Sequence, residues 1–204
     1  MAKWDKLASK QTIQTTIKAL KQNGIDAIAV NTGKEAKKKV LELIDESSEV
    51  MTMTSVTLDT IGLSEEINSA DGKFKPVRDK LYAMDRNTQA QEMNRLVAAP
   101  EVVVGSVHAV TLDGHVLIAS ATGSQLPAYV YSAGKVIWVV GTQKIVKNTD
   151  EGIKRIYEYV FPLEDTRAKK AYGMGSGVNK LLIVNKEVTP GRMTLILVKE
   201  KLGF

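Results

Sequence analysis

Two short runs constrain the fold more than any other feature of the chain. Val136 to Val140 (VIWVV) is an apolar strand, and Met193 to Val198 (MTLILV) is apolar on both of the faces a strand would present. Successive side chains of a strand point to opposite sides of its sheet, so a strand with no polar side belongs in the interior of a sheet covered on both faces.

The rest of the chain supplies the covering. Trp4, Leu7, Ala8, Ile13, Ile17 and Leu20 mostly keep helical spacing until Asn23-Gly24, and Ile25 to Val30 then reads as a strand. Thr32 and Glu35 have capping-box spacing and open a helix to about Ile44, with a weaker strand at Glu49 to Met53. Ser69 to Lys80, with Asp71-Gly72 and Pro76, reads as an irregular surface crossing. Thr88 and Gln91 repeat the capping-box spacing before a helix stopped at Pro100, and Ile153, Ile156, Tyr157 and Val160 mark an amphipathic helix ended by Pro162, with a short helix after it to about Ala171. This alternation predicts an α/β class: an open, mostly parallel sheet with helices on both faces and a β-hairpin. A length of 204 residues and a hydrophobic content of 44% fit one domain over 1–204, with residues 1–23 as a helical arm.

Cysteine is absent, which excludes disulfides, thiolate zinc sites, Cys-ligated iron–sulfur clusters and a Cys nucleophile. The net charge of +5 is concentrated late: from Thr166 onward there are eight Lys/Arg against Glu187 and Glu200. Such a field attracts anionic metabolites or acidic partners. Nucleic acid is disfavoured because the basic residues have no interleaved aromatics. No run reaches the roughly 20 apolar residues of a membrane helix, and the first residues have no secretory h-region, so the expected location is cytoplasmic.

The chemistry is expected in Glu101 to Lys147. Leu112-Asp113-Gly114 separates two extended runs and signals a hairpin. Ser120-Ala-Thr122-Gly123-Ser124 then leads into helically spaced Leu126, Tyr129, Val130 and Ala133, closed by Gly134. A strand feeding a hydroxyl-rich loop into a helix can aim amides at a phosphate or carboxylate. The same residues also fit a plain cap at Ser124 and a plain turn at Gly123. Gly141, Gln143 and Lys144 follow the apolar strand and add a positive charge beyond its C-terminal end. Ser55 or Thr57 caps a short helix at another strand-to-helix corner, where open α/β sheets meet ligands. His108 and His115 are the two histidines; two do not make a metal site, and His108, with Ser106 and Thr111 close by, is the functional candidate. There is no G-x-S-x-G elbow, and Gly173 to Gly177 (GMGSG) precedes a strand, which disqualifies it as a dinucleotide fingerprint. No cofactor is indicated.

The ordered segments VTLDTIGL, GSVHAVTLDG, ATGS, VVGTQKIV and PGRMTLILVKEKLGF resemble the LUD-domain family (DUF162), the LutC-like lactate-utilization proteins, over roughly Trp4 to Phe204. The resemblance implies a fold like that of the NagB/RpiA/CoA transferase-like proteins, a link to conversion of L-lactate to pyruvate, and work beside iron–sulfur protein partners. Ser55, Thr57 and Leu58 match the family's S-x-T-L corner, Ala109, Thr111, Asp113 and Gly114 its A-x-T-x-D/E-G hairpin, and Gly141, Lys144, Ile145 and Val146 its G-x-x-K-I-V segment. Two departures stand out: Gly123-Ser124-Gln125 replaces the usual G-N-R, and Gly173 to Gly177 replaces a Cys-containing loop.

The leading expectation is therefore binding of a small organic acid or phosphorylated metabolite. Thr122, Gly123, Ser124 and Gln125 would hold the anion, Lys144 would neutralise it, Ser55, Thr57, Ser106, Thr111 and Gly141 would line the mouth, and Asp113 or His108 would move protons. Two alternatives are a non-enzymatic subunit docking iron–sulfur partners through Lys169, Lys170 and Lys180, and a CoA transferase or sugar-phosphate isomerase-like enzyme using Asp113 or Glu101. Homo-oligomers are compatible with either.

Overall fold

A computed structural model describes residues 3–69 and 72–204. Met1, Ala2 and the Asp71 half of the Asp-Gly pair lie outside it.

In chain order the elements are α1 (Lys10–Gln22), β1 (Asp26–Val30), α2 (Gly33–Leu43), β2 (Glu49–Thr52), α3 (Val56–Thr60), α4 (Leu63–Ile67), β3 (Lys75–Pro76), α5 (Val77–Tyr82), α6 (Arg86–Ala98) and β4 (Val102–Gly105). There follow β5 (Ala109–Thr111), β6 (Val116–Ser120), β7 (Lys135–Gly141), β8 (Ile145–Val146), α7 (Thr149–Arg155), α8 (Phe161–Tyr172), β9 (Lys180–Val184) and β10 (Met193–Val198).

Six strands form a sheet in the order β1-β10-β7-β4-β2-β3, and every pairing in it is parallel. The two doubly apolar runs are its central neighbours, with Leu195 beside Trp138 and Ile196 beside Val139. Their alternate residues feed separate cores. Val103, Trp138, Leu195 and Leu197 pack with Ile13 and Leu20 of α1 and with Val110, Val116 and Ile118 of the second sheet. Val104, Ile137, Val139, Ile196 and Val198 pack with Ala36 and Val40 of α2 and with Leu58, Leu63 and Ile67. Burying each such side chain contributes roughly 1.5–3 kcal/mol, which is why both faces of β7 and β10 are apolar apart from the half-buried Lys135 and Thr194 near their starts.

The second sheet, β8-β5-β6-β9, contains the expected hairpin, with β5 and β6 antiparallel and Gly114 at φ +82 in the turn. That turn docks on the end of α1, where Asn23 Nδ2 donates to the carbonyls of Asp113 at 2.9 Å and Gly114 at 3.2 Å.

Several local expectations need correction. Trp4 to Ala8 precede α1, which starts after the Ser9 cap, and Trp4 is buried against Leu117 and Ile156. α1 is no appendage, since Leu20 is wholly buried in the main core. The 69–80 stretch contributes β3 and the start of α5. α6 is capped by Asp85, whose side chain accepts from Asn87 N, three residues before the Thr88 that the capping-box spacing indicated. The segment after Ser124 forms only a short turn of helix, π-helical over Ala128–Ser132, and Gly134 serves a close approach to the Glu101 carbonyl where a left-handed cap was expected. Pro162 does not stop its helix. Helical residues run from Thr149 to Tyr172, with a π-turn at Ile156–Val160 just before Pro162, at the point where the proline's missing N–H interrupts the regular ladder. Among the described residues no helix is long and apolar enough to cross a membrane.

Candidate functional site

The C-terminal ends of β2, β4, β7 and β10 converge on Lys144. Gly141 ends β7, and a 3-10 turn over Thr142–Lys144 folds the chain back toward the sheet. Gly141 has to be a glycine here: a Cβ would sit 2.7 Å from both the Glu200 carbonyl oxygen and the Leu202 nitrogen. The turn drives the Lys144 side chain inward until it is only 3% exposed. Its Nζ lies 3.1 Å from each of Thr57 Oγ1, Ser106 Oγ and the Val107 carbonyl oxygen. Thr57 belongs to α3, whose Ser55 cap accepts from Leu58 N, and Ser106 follows β4 directly.

The segment after β10 closes over these groups. Thr57 Oγ1 donates to the Leu202 carbonyl at 3.2 Å and Gln143 Nε2 donates to the same carbonyl at 2.9 Å. Gly203 sits at φ +62, and a Cβ there would come within 2.6 Å of Thr57 Oγ1. Lys201 pairs with Asp5 at 2.8 Å, and Glu200 Oε2 accepts from Gly33 N at 2.8 Å, tethering the segment at two further points.

Behind the lysine lies Arg155, fully buried on α7. One guanidinium nitrogen donates to the His108 carbonyl, the Tyr159 ring stacks 5.3 Å away, and Nε and Nη2 have no protein partner among the described residues. Neither Lys144 nor Arg155 forms an ion pair with a carboxylate among the described residues. Unpaired buried charge is strongly disfavoured, and the titrations follow. Burial, aided by the Arg155 charge, pushes the Lys144 ammonium down to about 7. Burial lowers Arg155 to about 10, against the opposing pull of Tyr159 and Asp5. His108 is pushed down to about 3 by burial first, then by the charges of Lys144 and Arg155. Its Nδ1 accepts the Ala119 N–H at 3.0 Å, which leaves the ring proton on Nε2.

Thr57, Ser106, His108, Gly141 and Lys144 are thus brought together, with Ser55 supporting Thr57. Other candidates lie apart. Thr111 Oγ1 bonds the Asp113 carboxylate and accepts the His115 N–H at 2.8 Å, so this pair serves the hairpin turn. In the Thr122–Gln125 loop, Gly123 N donates to Ser120 Oγ at 2.8 Å and Ser124 N to Thr122 Oγ1 at 3.3 Å, while Ser120 Oγ bonds Gln125 Oε1. The Gly123 and Ser124 amides, two of those expected to face an anion, are already bonded within the loop, and the Lys180 stem lies over Gly123. Glu101 caps the opposite end of the sheet by accepting from Glu49 N, and Lys169 is paired with Asp165. Arg155 and the Leu202–Gly203 segment have no signal in the sequence reading, which places Gln143 beyond the end of β7 without naming it among the binding residues. Two surface hollows, of about 550 and 490 Å³, lie elsewhere, along α1 and beside β9. Among the described residues no cluster of three or more His, Asp or Glu side chains is placed to hold a metal.

Comparison with known proteins places this geometry in a family. The LUD domain matches residues 13–198. The crystal structure of a DUF162 family protein from Deinococcus radiodurans has a similar fold, with a TM-score of 0.59 at 12% identity over 95% of this chain and 99% of that one. No curated protein sequence matches the chain. The match over 13–198 takes in all of the two sheets and the whole Lys144 cluster except the Leu202–Gly203 segment, and the chain belongs to the LUD-domain family.

Proposed function

We propose that this protein binds a small organic acid or phosphorylated metabolite at the C-terminal edge of its six-stranded sheet, in a role linked to L-lactate and pyruvate utilization. The observation that carries the reading is the pair of buried cations, Lys144 and Arg155, without a carboxylate partner. An anion seated over the part-exposed Ser106 and His108 would lie in the field of both and supply the missing negative charge. Its arrival favours the protonated lysine, so binding takes up a proton. Affinity then falls as pH rises through about 7, the value to which Lys144 is pushed.

The test is a thermal-shift screen with L-lactate, pyruvate, sugar phosphates and CoA esters near pH 6. At least one should raise the melting temperature in a concentration-dependent way, with a smaller shift at pH 8.5. A melting temperature unmoved by every member of the panel would sink the proposal.

A further inference from the structure

The hydrogens in the Lys144 cluster can be placed one by one. Thr57 Oγ1 donates its own hydrogen to the Leu202 carbonyl, so toward Lys144 it can only accept. The Val107 carbonyl can only accept. These two contacts take two N–H bonds of the lysine. The third contact, 3.1 Å from Nζ, is Ser106 Oγ, which has no other protein partner among the described residues. A protonated lysine donates to all three oxygens, whereas a neutral one meets the same geometry with two N–H groups, its lone pair receiving the Ser106 hydroxyl. Burial favours the neutral form, as does the fixed charge of Arg155. The groups facing Lys144 from its neighbours are Arg155 of α7 and His108 ahead of β5, with no carboxylate among its partners. The lysine is sealed beneath Leu202 and Gly203, whereas Ser106 keeps part of its surface open. That is the arrangement of a shielded base beneath an accessible hydroxyl.

We infer that Ser106 and Lys144 form a nucleophile–base dyad for acyl transfer, acting on an ester or thioester of a small acid. Ser106 Oγ attacks the acyl carbon as its proton passes to Lys144 Nζ. The tetrahedral adduct collapses, the bond to the alkoxide or thiolate leaving group breaks, and that group takes the proton from Lys144. Water then attacks the acyl-serine with Lys144 again accepting a proton, and the carboxylic acid leaves as Ser106 regains its hydrogen. The dyad rests on the anion-binding reading only for its substrate class, since the released carboxylate is the kind of anion that reading assigns to the same surface. His108, whose Nε2–H has no protein partner among the described residues, is the nearby donor available to a developing oxyanion.

The test uses the full chain and an uncharged fluorophosphonate probe, with intact mass and peptide mapping as readouts. One adduct per chain on Ser106 is expected, forming faster as pH rises through about 7, the value to which Lys144 is lowered. Ser106→Ala should remove the adduct. Lys144→Arg, which stays protonated and so cannot act as a base, should slow it by about 100-fold, within the range for lost general-base catalysis. Melting curves identify any variant that is not folded, and Ser106→Cys gives a second, folded reporter through alkylation that should keep the same pH profile. No adduct on wild-type Ser106, or equal labelling of folded Lys144→Arg, would overturn the dyad. Anion stabilisation without labelling removes the dyad alone, and labelling without anion stabilisation removes the binding reading alone.

Discussion

Two loops of this molecule look alike in sequence and differ in physics. Thr122-Gly123-Ser124-Gln125 follows β6, and Gly141-Thr142-Gln143-Lys144 ends β7 and continues it; each offers a glycine and hydroxyls or amides. In the first, the polar groups bond one another, as in Gly123 N to Ser120 Oγ and Ser120 Oγ to Gln125. In the second, the lysine's partners come from Thr57, Ser106 and Val107, and Gln143 reaches Leu202. The first loop spends these groups on itself, whereas the second gathers partners from distant segments around Lys144 and Arg155, and it is there that the proposed anion site is placed.

The largest expected contrast tests that difference directly. Lys144→Met should abolish anion-dependent stabilisation, a loss of at least about tenfold in affinity for one charge-assisted contact. The double variant Thr122→Ala/Ser124→Ala should leave the dissociation constant within about twofold and cost about 1 kcal/mol of stability, the scale of a lost local cap. Calorimetric titration with whichever anion scores in the screen measures both. The reverse pattern would move the site to the β6 loop.

A smaller contrast compares two glycines in the left-handed region, Gly203 at φ +62 and Gly123 at φ +87. Placing alanine at either incurs backbone strain of about 1 kcal/mol. At Gly123 the added carbon meets the Lys180 Cδ at 2.5 Å, part of a flexible stem that can swing away. At Gly203 it meets Thr57 Oγ1 at 2.6 Å and Thr57 N at 3.2 Å, a rigid helix start. Gly203→Ala should therefore cost about 2–3 kcal/mol in urea unfolding. It should also lift the covering segment, so that Lys144 regains water and the pH profile of Ser106 labelling moves upward. Gly123→Ala should leave that profile in place. Equal profiles in the two variants would mean that the segment does not seal the lysine.

What could be read from sequence divides along the same line. β7 and β10 were legible because a doubly apolar strand has one home, and the Asp-Gly hairpin and the Thr32 and Ser55 caps were legible because their causes lie within a few residues. Thr57 and Lys144 stand beyond strand ends in the sequence and Ser106 stands close to His108, although nothing in their spacing joins the three to one another. Arg155 is invisible in the sequence. It sits in an amphipathic helix where arginine ordinarily marks the wet face, and only Gly152 one turn earlier, where an added Cβ would come within 2.9 Å of Leu117, hints at how closely α7 approaches the second sheet. Pro162 and Thr88 mislead for one reason: each local rule holds only where no π-turn or earlier cap, such as Asp85, offers a competing solution. The LUD resemblance reached the right family, and most of its hairpin residues turned out to serve the turn.

The smallest effect concerns acid, and it separates a desolvated neutral imidazole from a hydrated one. His108 titrates at 6.5 when unperturbed and is pushed down to about 3 in the fold. Between those values the unfolded chain binds a proton that the native state refuses. Stability is therefore fully present above about 6.5 and is lost as pH falls toward 3, by up to about 1.4 kcal/mol per pH unit. The carboxylates with lowered values, among them Asp5, Glu151 and Glu187, start from 3.8 or 4.5, so they yield stability only at lower pH. The window from 6.5 to 4.5 is thus where His108 dominates over them. Lys144 does not interfere, because below about 7 it is protonated in both states. His108→Asn offers an oxygen to the Ala119 N–H in place of Nδ1 and removes the titration, so its denaturant midpoint should vary less with pH across that window than the wild type's. Parallel curves for the two proteins would place the ring in water, and with it the basis for treating the Lys144 neighbourhood as a desolvated site.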